Sequence, residues 1–229
     1  MNQSTTTTTT WNRDTRPRTA AVVAGIGLLL MAVLAAFANF GVIQNLIAAG
    51  NPETTAANLI ESAARFRLGA AGMLIVAALD VLVAWGLYVV LRSVNPSLSL
   101  LGAWFRLAYA AIFAVVINYL FGALRAAPLD PNQALFLIES YNQGWQIGLV
   151  IFGLHLCIVG ALLWRPGVFS RIVAVLVIVA GAGYLVDGLG STLSPAYSLE
   201  LGRFTFVGEL VFIVWLLVRG GRPGKAGSS

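Results

Sequence analysis

The chain has 229 residues, of which 59% are hydrophobic and only 10% are charged, and its net charge is +5. Soluble domains carry about 25% charged residues, so this composition excludes a soluble protein and indicates an integral membrane protein. Several spans of about 20 residues use most of the length and leave no room for a soluble catalytic domain. The arginines lie singly at the ends of apolar runs, which argues against a nucleic-acid-binding face.

The N-terminal residues 1–18 are polar and contain six consecutive threonines, so we predict a disordered tail. The first apolar run, 20–38, follows three arginines. That order of charges fits either a cleaved signal peptide or an uncleaved signal anchor. The run exceeds the 7 to 15 residues of a usual signal core, which favours an uncleaved anchor.

Five further apolar runs follow, and the fold class we predict is an all-α, polytopic six-helix transmembrane bundle. The transmembrane domain covers 19–220, and 221–229 form a flexible tail. The predicted spans are 20–38, 68–91, 98–124, 147–164, 172–189 and 204–218.

Three connections on one side of the bundle share a design in which an X-Pro pair starts a short amphipathic helix. Asn51-Pro52 and Asp130-Pro131 place a capping side chain before a proline, which is favourable at the first helical position. Ser194-Pro195 begins the third. We therefore predict short surface helices over 54–66, 134–143 and 196–204, each leading into the next span.

Lysine and arginine are distributed unequally between the two sides. Nine lie on the side of the termini and four on the other, while Arg106 falls inside a span. By the positive-inside rule, both termini are predicted to be cytoplasmic.

Ionisable residues recur at one depth within three spans. Asp80, His155 and Glu209 each lie ten to twelve residues before the arginine that follows the same span. At 1.5 Å per residue this distance is about 15 to 18 Å, roughly half of a 30 Å hydrocarbon core. Arg106 approaches the same layer from the other direction. We therefore predict a buried cluster of Asp80, Arg106, His155 and Glu209 near the midplane, because unpaired charges there are costly.

Asp187 lies nearer the far end of its span than the cluster residues. We expect it to line an outer vestibule with Asn118, Tyr119 or Tyr184. It completes the set of predicted ligand-binding residues, and Asp80, His155 and Glu209 are the candidates for a catalytic role.

The residues of the cluster also fit two other interpretations. Its charges can simply lock the helices together, as polar residues do in membrane bundles. A metal site from His155, Asp80 and Glu209 has suitable ligand types, but Arg106 competes for the same carboxylates, so no metal is predicted. The sequence has no phosphate-binding glycine loop, nucleophile elbow or HExxH helix, so no cofactor is predicted. The single cysteine, Cys157, excludes an intrachain disulfide.

Four stretches resemble one known family, namely LDVLVAWGLYVVLRSVNPSLSLLGAWFRLAYA, FGLHLCIVGALLWRPG, AGAGYLVDGL and VGELVFIVWLLVRG. They are similar to the bacterial membrane family numbered 4386 among the domains of unknown function, from residue 19 to residue 220. The resemblance implies a multi-pass protein of the bacterial inner membrane. The family's motif blocks include the positions of Asp80, Arg106, His155, Asp187 and Glu209, but the resemblance implies no activity.

The leading functional hypothesis is a small ligand-binding or proton-coupled transport-type protein. In this hypothesis Asp80, Glu209 and His155 take up and release protons, and Arg106 sets the net charge of the cluster. One alternative is an intramembrane enzyme that uses paired carboxylic acids on a lipophilic substrate, such as a lipid or an isoprenoid. Another is a structural or accessory membrane subunit. The expected partners are the lipid bilayer and a lipophilic or small polar ligand.

Overall fold

The computed structural model describes residues 16–164, 171–194, 196–199, 201–202 and 207–221, and within them it is almost entirely helical. The all-α prediction is confirmed. The helices are α1 (Pro17–Ala35), continued by a π-helical segment (Ala36–Ile43) and a short 3-10 turn (Gln44–Leu46), then α2 (Pro52–Glu61), α3 (Ala63–Leu91), α4 (Pro96–Ala126), α5 (Pro131–Leu163), α6 (Arg171–Leu193) and α7 (Val207–Val218).

Within the described residues, five helices are long and apolar enough to cross a membrane, and each overlaps one of the first five predicted spans. The first is longer than predicted, because the helix continues through the π-helical segment to Leu46. Residues 207–218 of the sixth predicted span form the apolar helix α7, and 204–206 lie outside the described residues. The protein is therefore a polytopic helical bundle of the kind that composition predicts.

The five long helices and α7 form a closed ring in chain order. Helix α1 packs against α3, α3 against α4, α4 against α5, α5 against α6 and α6 against α7, and α7 packs back against α1. The Arg18 guanidinium fastens this closure by donating hydrogen bonds to the carbonyl oxygens of Leu216 (3.1 Å), Gly220 (3.0 Å) and Leu217. We call the side of the ring that holds Arg18 and Gly220 the terminal side, and the other the opposite side.

Side-chain caps start α2, α4 and α5, and those of α2 and α5 lie where the sequence predicts helix starts. Asn51 accepts from the backbone N–H of Thr54, and Asn95 accepts from that of Leu98, both at 2.9 Å. Asp130 accepts from two backbone N–H groups of the first turn of α5. In each case a proline follows the cap at the first helical position. These caps place the entry points of α2, α4 and α5.

The short surface helices differ in part from the prediction. Helix α2 is separated from α3 by only one residue, Ser62. The second, 134–143, is the beginning of the continuous 33-residue helix α5, because Gly144, directly after it, lies within α5 against Val116. In the third, residues 196–199 are not helical, and the rest lies largely outside the described residues.

Glycines allow α5 and α6 to approach each other closely. A methyl group on Gly181 would lie 2.7 Å from the carbonyl oxygen of Gly153, and one on Gly160 would lie 3.0 Å from that of Ala174. A methyl group on Gly188 would meet another carbonyl oxygen of α5 at 2.8 Å. Small residues permit such approaches in membrane bundles, where van der Waals packing drives helix association.

We expect Gly181→Ala to destabilise the bundle by about 1–3 kcal/mol, because the added methyl group must push two backbones apart. Gly122→Ala is the matched control, since its methyl group would meet only the Leu137 side chain at 3.4 Å. Replacing glycine by alanine raises helix propensity by a similar amount at both positions. The difference in stability between the two variants therefore reports packing. Thermal unfolding of the detergent-solubilised protein measures it, and equal melting temperatures for the two variants would contradict this packing.

Candidate functional site

A buried ion pair joins α3 to α4 inside the ring. Arg106 Nη2 lies 2.6 Å from Asp80 Oδ1, and the two side chains are 2% and 0% exposed. Twelve residues separate Asp80 from the residue that follows α3 on the terminal side, so the pair lies about 18 Å into the bundle. Breaking a buried pair by removing one partner strands an uncompensated charge. The pair therefore holds α3 and α4 in one register.

His155 extends this pair to α5. Its Nε2 lies 3.2 Å from Arg106 Nη1, and its Nδ1 lies 2.8 Å from the carbonyl oxygen of Gly102. A guanidinium has only donors and a carbonyl oxygen only accepts, so Nε2 must accept and Nδ1 must carry the proton. The geometry therefore assigns a neutral imidazole, which is 1% exposed. Three adjacent helices meet at Arg106.

An aromatic ring that was not predicted from the sequence, that of Phe152, lies against the guanidinium. The Phe152 ring centroid lies 5.2 Å from Arg106 Cζ, within cation–π range. Phe152 also contacts the rings of His155 (5.7 Å), Tyr109 (4.9 Å) and Tyr184 (5.7 Å). Phe152 lies three residues before His155, one turn away on the same face of α5, and this spacing was the signal available in the sequence.

Glu209 lies beside this group without a direct bond to it. Its Oε1 accepts a hydrogen bond from the Tyr184 hydroxyl at 2.6 Å, which joins α7 to α6. Tyr184 in turn packs against Phe152, the ring that lies against Arg106, so these two side chains join Glu209 to the ion pair. Of the four residues predicted to cluster, three are therefore in contact, while Glu209 bonds to Tyr184. From the sequence, we expected Tyr184 to line the outer vestibule with Asp187.

Asp187 holds the chain that follows α6. It is 8% exposed, and its carboxylate accepts from the Tyr197 hydroxyl (2.5 Å) and from the backbone N–H groups of Leu201 (2.8 Å) and Gly202 (2.5 Å). The hydrogen bond to this carboxylate raises the pKa of Tyr197 to about 12. Asp187 thus fastens a connecting segment, and the predicted Asn118 and Tyr119 are not among these partners.

A second polar group, also missed by the sequence analysis, lies toward the opposite side. Gln44 Nε2 is 3.3 Å from Asn142 Oδ1 and 3.5 Å from Asn39 Oδ1, and Asn39 is buried within the π-helical segment. The Arg65 guanidinium donates to the carbonyl oxygen of Gly41 in the same segment (2.7 Å). π-Helical turns frequently occur at functional sites. An asparagine inside an apolar run was the available signal.

The buried ion pair leaves hydrogen-bonding capacity unused among the described residues. Asp80 Oδ2 has no hydrogen-bond partner, and neither has Arg106 Nε. Buried polar atoms in native structures almost always have partners, so each exception calls for an explanation such as water, an ion or a ligand. An acceptor and a donor are therefore both available at one place in the ring interior. Within the described part of the chain, no three His, Cys, Asp or Glu side chains form a candidate metal site.

Removal of one charge from the pair tests how much it contributes. We expect Arg106→Gln to destabilise the protein by about 3–5 kcal/mol, because the Asp80 charge is left buried and uncompensated. The double variant Asp80→Asn with Arg106→Gln removes both charges and should lose less. Unfolding of the purified variants in detergent measures both. A double variant as unstable as Arg106→Gln alone would show that the two residues do not form this pair.

Comparisons with known proteins identify a family for this chain. The sequence model of a family described as "Domain of unknown function (DUF4386)" matches residues 23–220. An uncharacterized protein of the archaeon Archaeoglobus fulgidus is 32% identical over 152 residues, which cover 65% of this chain and 82% of the relative. No solved structure matches. The chain therefore belongs to the DUF4386 family of multi-pass membrane proteins, whose activity is unknown.

Proposed function

We propose that the protein is a transport-type membrane protein that binds a small polar ligand at the Asp80–Arg106–His155 group and couples this binding to protons. The observation that carries the proposal is the pair of unused atoms, Asp80 Oδ2 and Arg106 Nε, in the buried interior of the ring. A ligand that offers both a donor and an acceptor would satisfy them. Intramembrane ionisable residues that face a bundle interior commonly mark such pathways.

The charge of this region favours a proton as the coupling ion. Asp80, Glu209 and Arg106 sum to a formal charge of −1 when His155 is neutral, and a proton would compensate that charge. Protonation of Asp80 would also break its ion pair with Arg106. The Arg106 side chain would then have two states, one paired with Asp80 and one released from it. In this proposal Asp80 and Glu209 hold protons, and His155 positions Arg106.

We also propose a location and an orientation for the protein. We place the protein in the cytoplasmic membrane of a bacterium, as the family resemblance implies, with the terminal side in the cytoplasm. Arg18 lies on the terminal side, and Arg92 and Arg219 directly follow the helix ends that reach it. The positive-inside rule assigns the arginine-rich side to the cytoplasm.

Proton movement through reconstituted protein tests the function. Proteoliposomes that contain a pH-sensitive dye should dissipate an imposed pH gradient faster than protein-free liposomes. We expect the variant Asp80→Asn with Glu209→Gln to lose this extra rate, because neither amide can take up a proton. Glu139→Gln is the control, since Glu139 is an exposed acid on the opposite side.

Wild-type rates in the control and background rates in the double variant would support the proposal. Wild-type rates in the double variant would overturn it and leave the enzymatic or structural alternative. Size-exclusion profiles of both variants before reconstitution separate loss of function from loss of fold.

A further inference from the structure

A cleft between α3 and α4 on the opposite side is lined by two arginines and two apolar residues. Its volume is about 410 Å³, and its lining residues are Arg67, Phe121, Leu124 and Arg125. Both arginine side chains are exposed, and Phe121 and Leu124 are partly buried against the core. The cleft is separate from the buried ion pair. It therefore combines a cationic rim with an apolar floor.

The position of this cleft along the helices corresponds to the membrane–water interface. Arg67 lies twenty-four residues before the end of α3 at Leu91, a rise of about 36 Å. Arg125 lies near the other end of α4 from Pro96, twenty-nine residues along, or about 44 Å. Both distances exceed the roughly 30 Å of a hydrocarbon core. Even if the helices are tilted, these guanidinium groups therefore reach the headgroup layer.

The described residues that line the cleft do not neutralise its positive charge. Two guanidinium groups share it, and no carboxylate lines it among the described residues. Arg65, two residues earlier on α3, differs because it donates to the Gly41 carbonyl oxygen. Two like charges at one cleft repel each other unless an anion lies between them.

We propose that this cleft binds the headgroup of an anionic phospholipid. The phosphate diester would lie between Arg67 and Arg125, because a guanidinium matches phosphate oxygens with paired N–H donors. The first part of an acyl chain would cover Phe121 and Leu124. The apolar floor favours a lipid over free phosphate, since inorganic phosphate has no group to place there. This proposal is independent of the proton-coupled function.

Native mass spectrometry of the detergent-purified protein tests the site with defined lipids. We expect phosphatidylglycerol to form adducts at lower concentration than phosphatidylcholine of the same chains. The variant Arg67→Gln with Arg125→Gln should weaken phosphatidylglycerol binding by about tenfold or more, as expected for the loss of charge-assisted contacts. Arg171→Gln is the control, because it removes an exposed arginine at the other end of the bundle.

Further arms of this experiment decide the chemistry. The variant Arg67→Lys with Arg125→Lys should bind with intermediate affinity, since it keeps the charge and loses the paired donors. Wild-type binding in the double glutamine variant would overturn the proposal. Displacement of the lipid by millimolar inorganic phosphate would also overturn it and identify a free-anion site. Equal thermal stability of wild type and variants confirms that folded proteins are compared.

Discussion

The placement of Arg106 between Asp80 and His155 is the constraint on which the interior of the bundle depends. A guanidinium at this depth is costly unless its charge and its donors are matched, and each match comes from a different helix. The carboxylate on α3 supplies the charge, and the imidazole on α5 supplies an acceptor. The Gly102 carbonyl oxygen fixes the tautomer that makes this acceptor available. Small rotations of any of the three helices would break a contact.

Much of this arrangement follows from the sequence, because hydropathy gives the spans and residue counting gives depth. Asp80, Arg106 and His155 were expected at one level, and they meet there. Counting does not give the direction in which a side chain points around its helix. That direction depends on how each helix is rotated against its neighbours. Glu209 shows the difference, since it was expected in the same cluster but bonds to Tyr184 on the adjacent helix.

Other features were less accessible because tertiary contacts decide them. The predicted short helix over 134–143 continues into α5, since Gly144 packs against Val116 in place of ending the helix. The π-helical segment after α1 brings Asn39 to Gln44, and Gln44 also contacts α5. Asp187 holds backbone N–H groups of residues 201 and 202, which no pattern of side chains indicates. Together these contacts fix the opposite side of the ring.

The protonation state of His155 provides the most direct test of the central arrangement. The chain contains one histidine, so ¹⁵N-histidine labelling of untagged protein gives one pair of imidazole nitrogen signals in an NMR spectrum. The account predicts a neutral ring with its proton on Nδ1, unchanged from about pH 5 to pH 8, a range in which free histidine titrates. An imidazolium near pH 6, or a proton on Nε2, would contradict the placement of Arg106 between His155 and Asp80.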